Sequence, residues 1–248
     1  MQEQFRSAID HTLDLFVSRF GDRLKTVVLE GSVAWGEALA GVSDVDLFAF
    51  TTDEPTESDM LWRIETKEAL ERDYPFVSEF SLEVSPVDVL RRNENWRFII
   101  KHNSTRLYGT DIIAELEAEG ISTPQPTKEW LKSRVEATMS MWSSVCDGEI
   151  PEGLFKTPDD PFLASRKIAR FFVLVQSAYL LMLDGEFLSF RQGDVLRQLR
   201  KRYPEWKKVC DLTELVSRAP RESRILPAAI VAELDPFMRW MIQHIREA

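Results

Sequence analysis

The sequence predicts an α+β protein in which a domain of mixed strands and helices precedes an all-helical bundle domain. Apolar segments with the pattern of β-strands occur in the first half of the chain, at residues 25–30, 44–51 and 76–84. In the second half, apolar residues recur at helical spacing instead. We therefore place the domain boundary in the polar, proline-containing segment 120–126, so that the two domains are residues 1–122 and 123–248.

The elements of the N-terminal domain follow from local spacing and capping residues. The chain opens with an amphipathic helix, because large apolar residues are spaced three or four positions apart at Phe5, Ile9, Leu13, Phe16 and Phe20. After the third strand, Ser85-Pro86-Val87-Asp88 predicts a helix start, with serine at the cap and proline at the first position. The predicted helices after the second strand are residues 59–72, 85–102 and 112–119, with a turn at residues 107–111.

Prolines and capping residues delimit the helices of the second domain. A helix over residues 128–145 is followed by one that begins after Asp160-Pro161 and is closed by Gly185. Ser189 and Gln192 have the form of a capping box and predict a third helix. Two further helix starts are predicted at prolines, Pro204 and Pro227.

The composition excludes several classes of protein. The 248 residues are 44% hydrophobic, enough for a sizeable core, so a disordered chain is not expected. The net charge of −10 argues against non-specific binding to nucleic acid, which requires a basic surface. The most apolar run, residues 171–183, is shorter than the roughly 20 residues of a membrane span. Cys146 and Cys210 form no disulfide or metal-binding pattern and no signal segment is evident, so we expect a cytoplasmic protein.

Candidate functional residues concentrate at the turn after the first strand and at the start of the second. Asp44 and Asp46 alternate with apolar residues, so both carboxylates project from one face of a strand, about 7 Å apart. Such a pair suits Mg²⁺, which binds through one or two carboxylates together with substrate phosphates. Gly31 and Ser32 supply the complementary half, because glycine allows close approach and N–H groups at a helix start can hold phosphate oxygens.

The motifs Gly-Ser-x-x-x-Gly at residues 31–36 and Ser-Asp-x-Asp-Leu at residues 43–47 resemble those of the DNA polymerase β-like nucleotidyltransferases. They are most similar to the branch of aminoglycoside nucleotidyltransferases and minimal nucleotidyltransferase antitoxins. The resemblance covers less than half of the chain. It implies a catalytic domain that uses ATP as co-substrate, with Mg²⁺ held by Asp44 and Asp46 and the departing β- and γ-phosphates held by the Gly-Ser pair.

The resemblance also implies a third carboxylate, on a neighbouring strand, that deprotonates the acceptor hydroxyl. Three acidic residues lie in the corresponding region: Glu79, Glu83 and Asp88. Asp88 is explained by its place in the first turn of a capped helix. The run Ser-Leu-Glu-Val at residues 81–84 resembles the strand of the family in which an acidic residue sits between two aliphatic ones, so we expect Glu83 to be the general base. Glu79 shares its strand face and stays the alternative.

Residues of the second domain that contact the substrates are harder to assign. In aminoglycoside-modifying relatives a basic residue of the C-terminal domain reaches the triphosphate, and Arg191 lies in a loosely similar region where a lysine is more usual. Glu152 and Asp159, in the loop before Pro161, are candidates for binding acceptor amines. A group of basic residues on the second helix is better explained as a solvated helix face: Arg166, Lys167 and Arg170.

Together these patterns favour an enzyme that transfers a nucleoside monophosphate, expected to be AMP from ATP, to a hydroxyl of a small acceptor such as an aminoglycoside. Pyrophosphate is the second product. A second version of this chemistry modifies a protein hydroxyl, as an antitoxin acting on its toxin would. A non-catalytic nucleotide-binding module of the same fold is the alternative outside the enzymes, and the intact set of carboxylates argues against it. A metal-dependent hydrolase would leave the Gly-Ser pair unexplained.

Overall fold

The computed structural model describes residues 3–148 and 160–247. The predictions that concern Glu152 and Asp159 therefore lie outside the described residues. The chain divides into two compact units, Met1–Gln125 and Pro126–Ala248. The first unit combines four strands with helices, and every regular element described in the second unit is helical. The predicted α+β fold class is confirmed.

The first unit alternates helices and strands along the chain. Its strands are β1 (Leu24–Glu30), β2 (Val45–Thr51), β3 (Phe80–Pro86) and β4 (Ser104–Gly109). Its helices are α1 (Glu3–Phe20), α2 (Gly31–Ala34), α3 (Glu57–Asp73), α4 (Asp88–Arg92), α5 (Glu94–Asn103) and α6 (Ile112–Ala118). A short 3₁₀ turn, Gly21–Arg23, leads from α1 into β1.

The four strands form one mixed sheet in the order β3-β2-β1-β4. Strand β1, one of the two inner strands, is antiparallel to both β2 and β4, whereas β2 and β3 are parallel. In this register Glu30, the last residue of β1, lies opposite Asp46 near the start of β2. On the other side of β2, Asp46 pairs with Ser81 and Phe48 pairs with Glu83. The register therefore places Glu30 and Asp46 side by side near one end of the sheet, with Glu83 two positions further along on β3.

The two faces of the sheet are covered by different helices. α1 and α3 pack on one face, through an apolar core that includes Phe16, Leu29, Leu47, Leu70 and Leu82. α4, α5 and α6 pack on the other face, through a smaller core that includes Val28, Phe50, Leu90, Ile100 and Leu116. Because strand side chains alternate, Glu30, Asp46 and Glu83 all lie on this second face. The smaller core leaves its end of the sheet available for polar groups.

The segment after the third strand differs from the prediction. Ser85 and Pro86 belong to β3, which pairs with β2 as far as Thr51, and they do not start a helix. Proline is tolerated there because β3 is an edge strand and Pro86 is its last residue. The predicted long helix is broken at Asn93, whose side chain accepts a hydrogen bond from the Trp96 N–H and caps α5.

A fourth strand replaces part of the predicted turn. Residues 104–109 form β4 and pair with β1, whereas the sequence pattern predicted a turn at residues 107–111. β4 is an edge strand with mostly exposed or half-exposed residues, so its sequence lacks the apolar alternation that marks a half-buried strand. Its register with β1 still brings Ser104 next to Glu30.

The second unit consists of helices of very different length. They are α7 (Lys128–Cys146), α8 (Pro161–Ala169), α9 (Gln176–Leu183), α10 (Gln192–Arg202), α11 (Lys207–Arg218), α12 (Pro220–Ser223) and α13 (Pro227–Glu247). A π-helical segment, Arg170–Val175, joins α8 to α9. The predicted capping box at Ser189 is wrong, because α10 begins only at Gln192 and the Ser189 hydroxyl donates to Asp194 instead. No helix within residues 3–148 or 160–247 is both long and apolar enough to span a membrane.

One buried carboxylate ties the start of α3 to α1 and to the turn before β1. The side chain of Asp59, 2% exposed, accepts hydrogen bonds from Arg19 at 3.0 Å and from Arg23 at 3.1 Å. Thr56 and Asp59 also form a reciprocal capping box. Burial raises the pKa of Asp59, but the hydrogen bonds from Thr56, Arg23 and Arg19 outweigh it and lower the pKa to about 2.

Since the pKa of Asp59 is lower in the folded chain than in the unfolded one, its ion pairs stabilise the fold above about pH 4, and this contribution is lost as the pH falls toward about 2. Asp59→Asn should lower the free energy of unfolding by about 3 kcal/mol at neutral pH. It should also flatten the decline of stability in acid. Denaturant unfolding at neutral and acidic pH measures both effects, and an unchanged acid dependence in the variant would contradict this assignment.

Candidate active site

The turn between β1 and α2 is built around a glycine that no other residue can replace without strain. Gly31 has a φ of +72°, in the left-handed region that favours glycine. A Cβ atom on Gly31 would lie 3.0 Å from Oδ2 of Asp46, closer than such contacts normally are. The carboxylate of Asp46 therefore reaches over the start of α2. The two halves of the predicted motif, fifteen positions apart in the chain, are in contact.

The loop between α2 and β2 is held by its own hydrogen bonds. The Glu37 N–H donates to the Ser32 carbonyl at 2.9 Å, and the Leu39 N–H donates to the Ser43 hydroxyl at 3.0 Å. The Ser43 carbonyl in turn accepts from the Ser78 N–H at 3.0 Å, which links the loop to the segment before β3. Ser43, which the motif includes beside the aspartates, thus fixes the backbone at the entrance to β2.

The two aspartates of the motif have different surroundings. Asp44 precedes β2 and is exposed, whereas Asp46 lies within the strand and is half-buried. Burial raises the pKa of Asp46 well above its usual value, and the negative charges of Asp44, Glu30 and Glu79 raise it further. The site thus gathers negative charge that a bound cation would neutralise.

A third carboxylate of this cluster, Glu30, is absent from the predicted site. Its side chain is buried, and one of its oxygens, Oε2, accepts a hydrogen bond from the Asn103 side chain at 3.2 Å. Burial raises the pKa of Glu30 to about 7, although the Asn103 hydrogen bond acts in the opposite direction. The signal available in the sequence was a charged residue that follows the apolar run Val-Val-Leu at residues 27–29 and stands directly before Gly31.

Glu83, the predicted general base, lies on the same sheet face as Asp46 but is displaced along the strand. It pairs with Phe48, two positions beyond Asp46, and its carboxylate accepts a hydrogen bond from Arg63 at 2.7 Å. Glu83 lines a small cavity of about 90 Å³ together with aromatic and hydroxyl side chains. The other residues of this cavity include Phe48, Phe50, Ser85 and Trp96.

Glu79, the alternative base, lies immediately before β3 on the side of Asp44. Its carboxylate pairs with Lys67 at 2.7 Å, and its charge contributes to the raised pKa of Asp46. Lys67 and Arg63 are one turn apart on α3, so a single helix face holds both candidate bases. Local sequence patterns do not reveal these two cations, because only the packing of α3 beside β3 brings them close to Glu83 and Glu79.

The remaining predicted residues lie elsewhere. Asp88 begins α4 and pairs with Arg92, which agrees with a role at a helix start. Arg191 belongs to the second unit, where it is exposed and precedes α10. Arg166, expected on a solvated face, is instead buried, and its Nε donates to the Ser217 carbonyl at 3.0 Å.

The donor chemistry of the cluster fits the divalent cation that the resemblance implies. Asp44, Asp46 and Glu30 offer oxygen ligands only, and Oε1 of Glu30 is a buried acceptor without a hydrogen-bond partner among the described residues. With the side chains as they stand, no three His, Cys, Asp or Glu residues in the described ranges come together to hold a metal ion. Oxygen donors of this kind suit an ion such as Mg²⁺, which binds through one or two carboxylates together with substrate phosphates.

Comparison with known proteins agrees with this architecture. The model of the nucleotidyltransferase domain family matches residues 10–136, just over half of the chain. A search of curated protein sequences found no match. The fold resembles the crystal structure of spectinomycin adenyltransferase AAD(9) from Enterococcus faecialis with ATP and spectinomycin, with a TM-score of 0.55, 11% identity, and coverage of 97% of this chain and 99% of that one.

Two toxin–antitoxin structures align with only part of the chain. One contains AMP-PNP, and the other is a mutant of the MntA–HpeT pair. Each alignment covers 53% of this chain. The first covers 95% of the matched chain, with 12% identity and a TM-score of 0.33, and the second covers 94% of the matched chain, with 15% identity and a TM-score of 0.32. Likenesses this weak support no conclusion about function.

The family match covers the glycine turn, both aspartates and both candidate bases. The matched residues also include all four strands of the mixed sheet that carries these groups. The resemblance to polymerase β-like nucleotidyltransferases is confirmed. The chain belongs to the nucleotidyltransferase domain family, and it is a transferase of nucleotidyl groups.

Proposed function

We propose that the protein transfers AMP from ATP to a hydroxyl of a small acceptor such as an aminoglycoside, in a Mg²⁺-dependent reaction that releases pyrophosphate. The observation that carries the proposal is the contact between Gly31 and Asp46. It puts a backbone turn suited to phosphate oxygens directly against a carboxylate suited to a metal ion. A nucleoside triphosphate with its bound cation needs both kinds of group at once.

The residues around this contact have separate roles in the proposal. Asp44 and Asp46 hold Mg²⁺, which when bound neutralises charge on the attacking and leaving oxygens. Gly31 and Ser32 bind the β- and γ-phosphates and keep the α-phosphate in line with the acceptor. Catalysis then depends mostly on positioning and charge compensation.

The proton of the acceptor hydroxyl is assigned to Glu83. As the hydroxyl oxygen bonds to the α-phosphorus, the bond from phosphorus to the β-phosphate oxygen breaks, pyrophosphate leaves, and the proton passes to the carboxylate. Glu83 is supported by its place on the Asp46 face and beside the cavity with Phe48 and Trp96. Glu79 remains the alternative, because its charge acts directly on Asp46.

A small cationic acceptor suits the charge of the site. Acidic side chains crowd this end of the sheet, and the whole chain has a net charge of −10, so positively charged molecules are attracted to it. The fold shared with a spectinomycin adenyltransferase supports ATP as donor and a small molecule as acceptor. Nucleic acid does not suit this charge.

The remaining assignments extend the proposal to the whole chain. Residues 1–122 are assigned as the catalytic domain and residues 123–248 as the helical domain, and Arg191 stays a candidate for binding the triphosphate. A reducing compartment such as the cytoplasm suits Cys146 and Cys210, which are both free thiols.

The direct test is transfer of label from α-labelled ATP in the presence of Mg²⁺, using a panel of aminoglycosides and related antibiotics and a set of cell proteins. We expect label on a small molecule, together with release of pyrophosphate. Asp46→Asn should reduce transfer by about three orders of magnitude or more, because it removes a metal ligand, while circular dichroism shows an intact fold.

The destination of the label decides between the acceptor classes. Label on a protein would replace the small acceptor by a protein hydroxyl. Full activity in Asp46→Asn would contradict the metal assignment. Binding of ATP without any transfer to the panel would contradict the proposed acceptor class.

The contact at Gly31 has its own test with a matched control. Gly31→Ala and Gly41→Ala both place a side chain at a φ of +72°, so each should lose about 1–2 kcal/mol of stability. Only in Gly31→Ala would the new Cβ also lie against the Asp46 carboxylate, because no atom lies within 4 Å of a Cβ placed on Gly41. We expect transfer to fall at least about tenfold more in Gly31→Ala than in Gly41→Ala. Such a difference corresponds to an increase of about 1.4 kcal/mol in the activation free energy of transfer. Equal losses of activity would show that the contact has no functional weight.

The choice of general base is tested by paired amide substitutions. Glu83→Gln should lower kcat by about 10²–10⁴-fold with little change in ATP affinity, because the amide cannot take up the proton. Glu79→Gln should have a much smaller effect. The reverse order would identify Glu79 as the base, and single-turnover kinetics on both variants provides the comparison.

A further inference from the structure

Glu30 and Asp46 face each other across the β1–β2 pair. They are directly opposite in the antiparallel register, and both side chains lie on the face covered by α4, α5 and α6. Residues opposite each other on antiparallel strands have Cβ atoms about 4.5–5.5 Å apart, so like charges at such positions repel. The fold thus places a second carboxylate beside the proposed metal ligand Asp46.

The Glu30 side chain is 9% exposed, and its two oxygens have different surroundings. Oε2 is fixed by the Asn103 side chain at 3.2 Å. Oε1 is buried and has no hydrogen-bond partner among the described residues. The hydroxyl of Ser104, the β4 residue opposite Glu30, is already committed to the Ile100 carbonyl at 2.6 Å. One buried oxygen is therefore left available at the cation site.

A purely structural role does not account for a charge at this position. The three residues directly before Glu30 in β1 are apolar, and a glutamine would match its length and still accept the Asn103 hydrogen bond. A carboxylate at this position lowers the stability of the fold for two reasons. It is buried with one oxygen unpaired, and it stands opposite another carboxylate. A cation held at Asp46 offsets both costs.

We propose that Glu30 is a positioning residue of the cation site: held by Asn103, its carboxylate adds negative charge beside Asp46 and so strengthens the binding of a divalent cation by Asp44 and Asp46. The inference rests on the proposed function, because it takes the two aspartates as the metal ligands. Groups that support metal ligands from the second layer typically contribute about 10–100-fold to metal affinity.

The test is the affinity for Mn²⁺ alone, measured by electron paramagnetic resonance of the free ion with the full chain. Glu30→Gln should weaken Mn²⁺ binding by about 10–100-fold, because it keeps the shape and the Asn103 contact but removes the charge. Asn103→Ala, which releases the carboxylate, should weaken it in the same direction. Glu115→Gln removes an equal charge from the same unit, from an ion pair with Lys25 at the other end of β1, and should leave the affinity unchanged.

Each outcome decides one claim. Unchanged Mn²⁺ affinity in a folded Glu30→Gln overturns the inference and makes Glu30 a buried structural group. Should Glu30→Gln not fold, unchanged affinity in Asn103→Ala overturns it instead. Absence of Mn²⁺ binding by the wild-type chain overturns the metal assignment of the proposed function. If the wild-type chain transfers label but Glu30→Gln leaves the Mn²⁺ affinity unchanged, the proposed function stands and only the role assigned to Glu30 is overturned.

Discussion

The juxtaposition of carboxylates at the ends of β1 and β2 is the constraint on which the rest of the site depends. Burial makes this arrangement unfavourable for the isolated chain and raises the pKa values of both Asp46 and Glu30, and the charges of neighbouring carboxylates raise the pKa of Asp46 further. A protein keeps such an arrangement when a ligand compensates it. The glycine turn against Asp46 indicates which ligand fits, because it offers room and backbone N–H groups where phosphates of a metal-bound nucleotide would lie.

The scaffold makes this arrangement rigid by fixing it from several directions. The inner strand β1 is paired on both sides, so Glu30 cannot move away from Asp46 without breaking the sheet. Ser43 ties the loop before β2 to the segment before β3. α3, anchored at its start by Asp59, presents Arg63 and Lys67 to the two candidate bases. Strand pairing, loop hydrogen bonds and the packing of α3 thus determine where the candidate functional residues lie.

Local sequence patterns predicted the parts of the fold that depend on local interactions. The first helix, the first two strands and the helix α7 follow from apolar spacing and capping residues, and the two motif residues Gly31 and Asp46 lie close together at one end of the sheet. Local patterns did not predict which segments pair with strands that are distant in the sequence. β4 was missed because an edge strand with exposed residues carries little periodicity, and Ser85 and Pro86 were assigned to a helix although strand pairing extends through them.

The same limit applies to the site. Asp44 and Asp46 are recognisable because they stand two positions apart on one strand. Glu30 is not, because its place beside Asp46 arises from the register between β1 and β2, which local sequence patterns do not reveal. Arg63 and Lys67 likewise acquire meaning only from the packing of α3 beside β3. Residues that strand pairing or helix packing brings to this end of the sheet are therefore the ones that local sequence patterns do not reveal.

The central claim is that one end of this sheet binds a divalent cation at Asp44 and Asp46 and nucleotide phosphates at Gly31 and Ser32. The most direct measurement is anomalous diffraction from crystals grown with Mn²⁺ and a non-hydrolysable ATP analogue. We expect a Mn²⁺ peak bound by the two aspartates, with phosphate oxygens against the N–H groups of the glycine turn. A nucleotide bound elsewhere, or a Mn²⁺ peak away from both aspartates, would contradict the account.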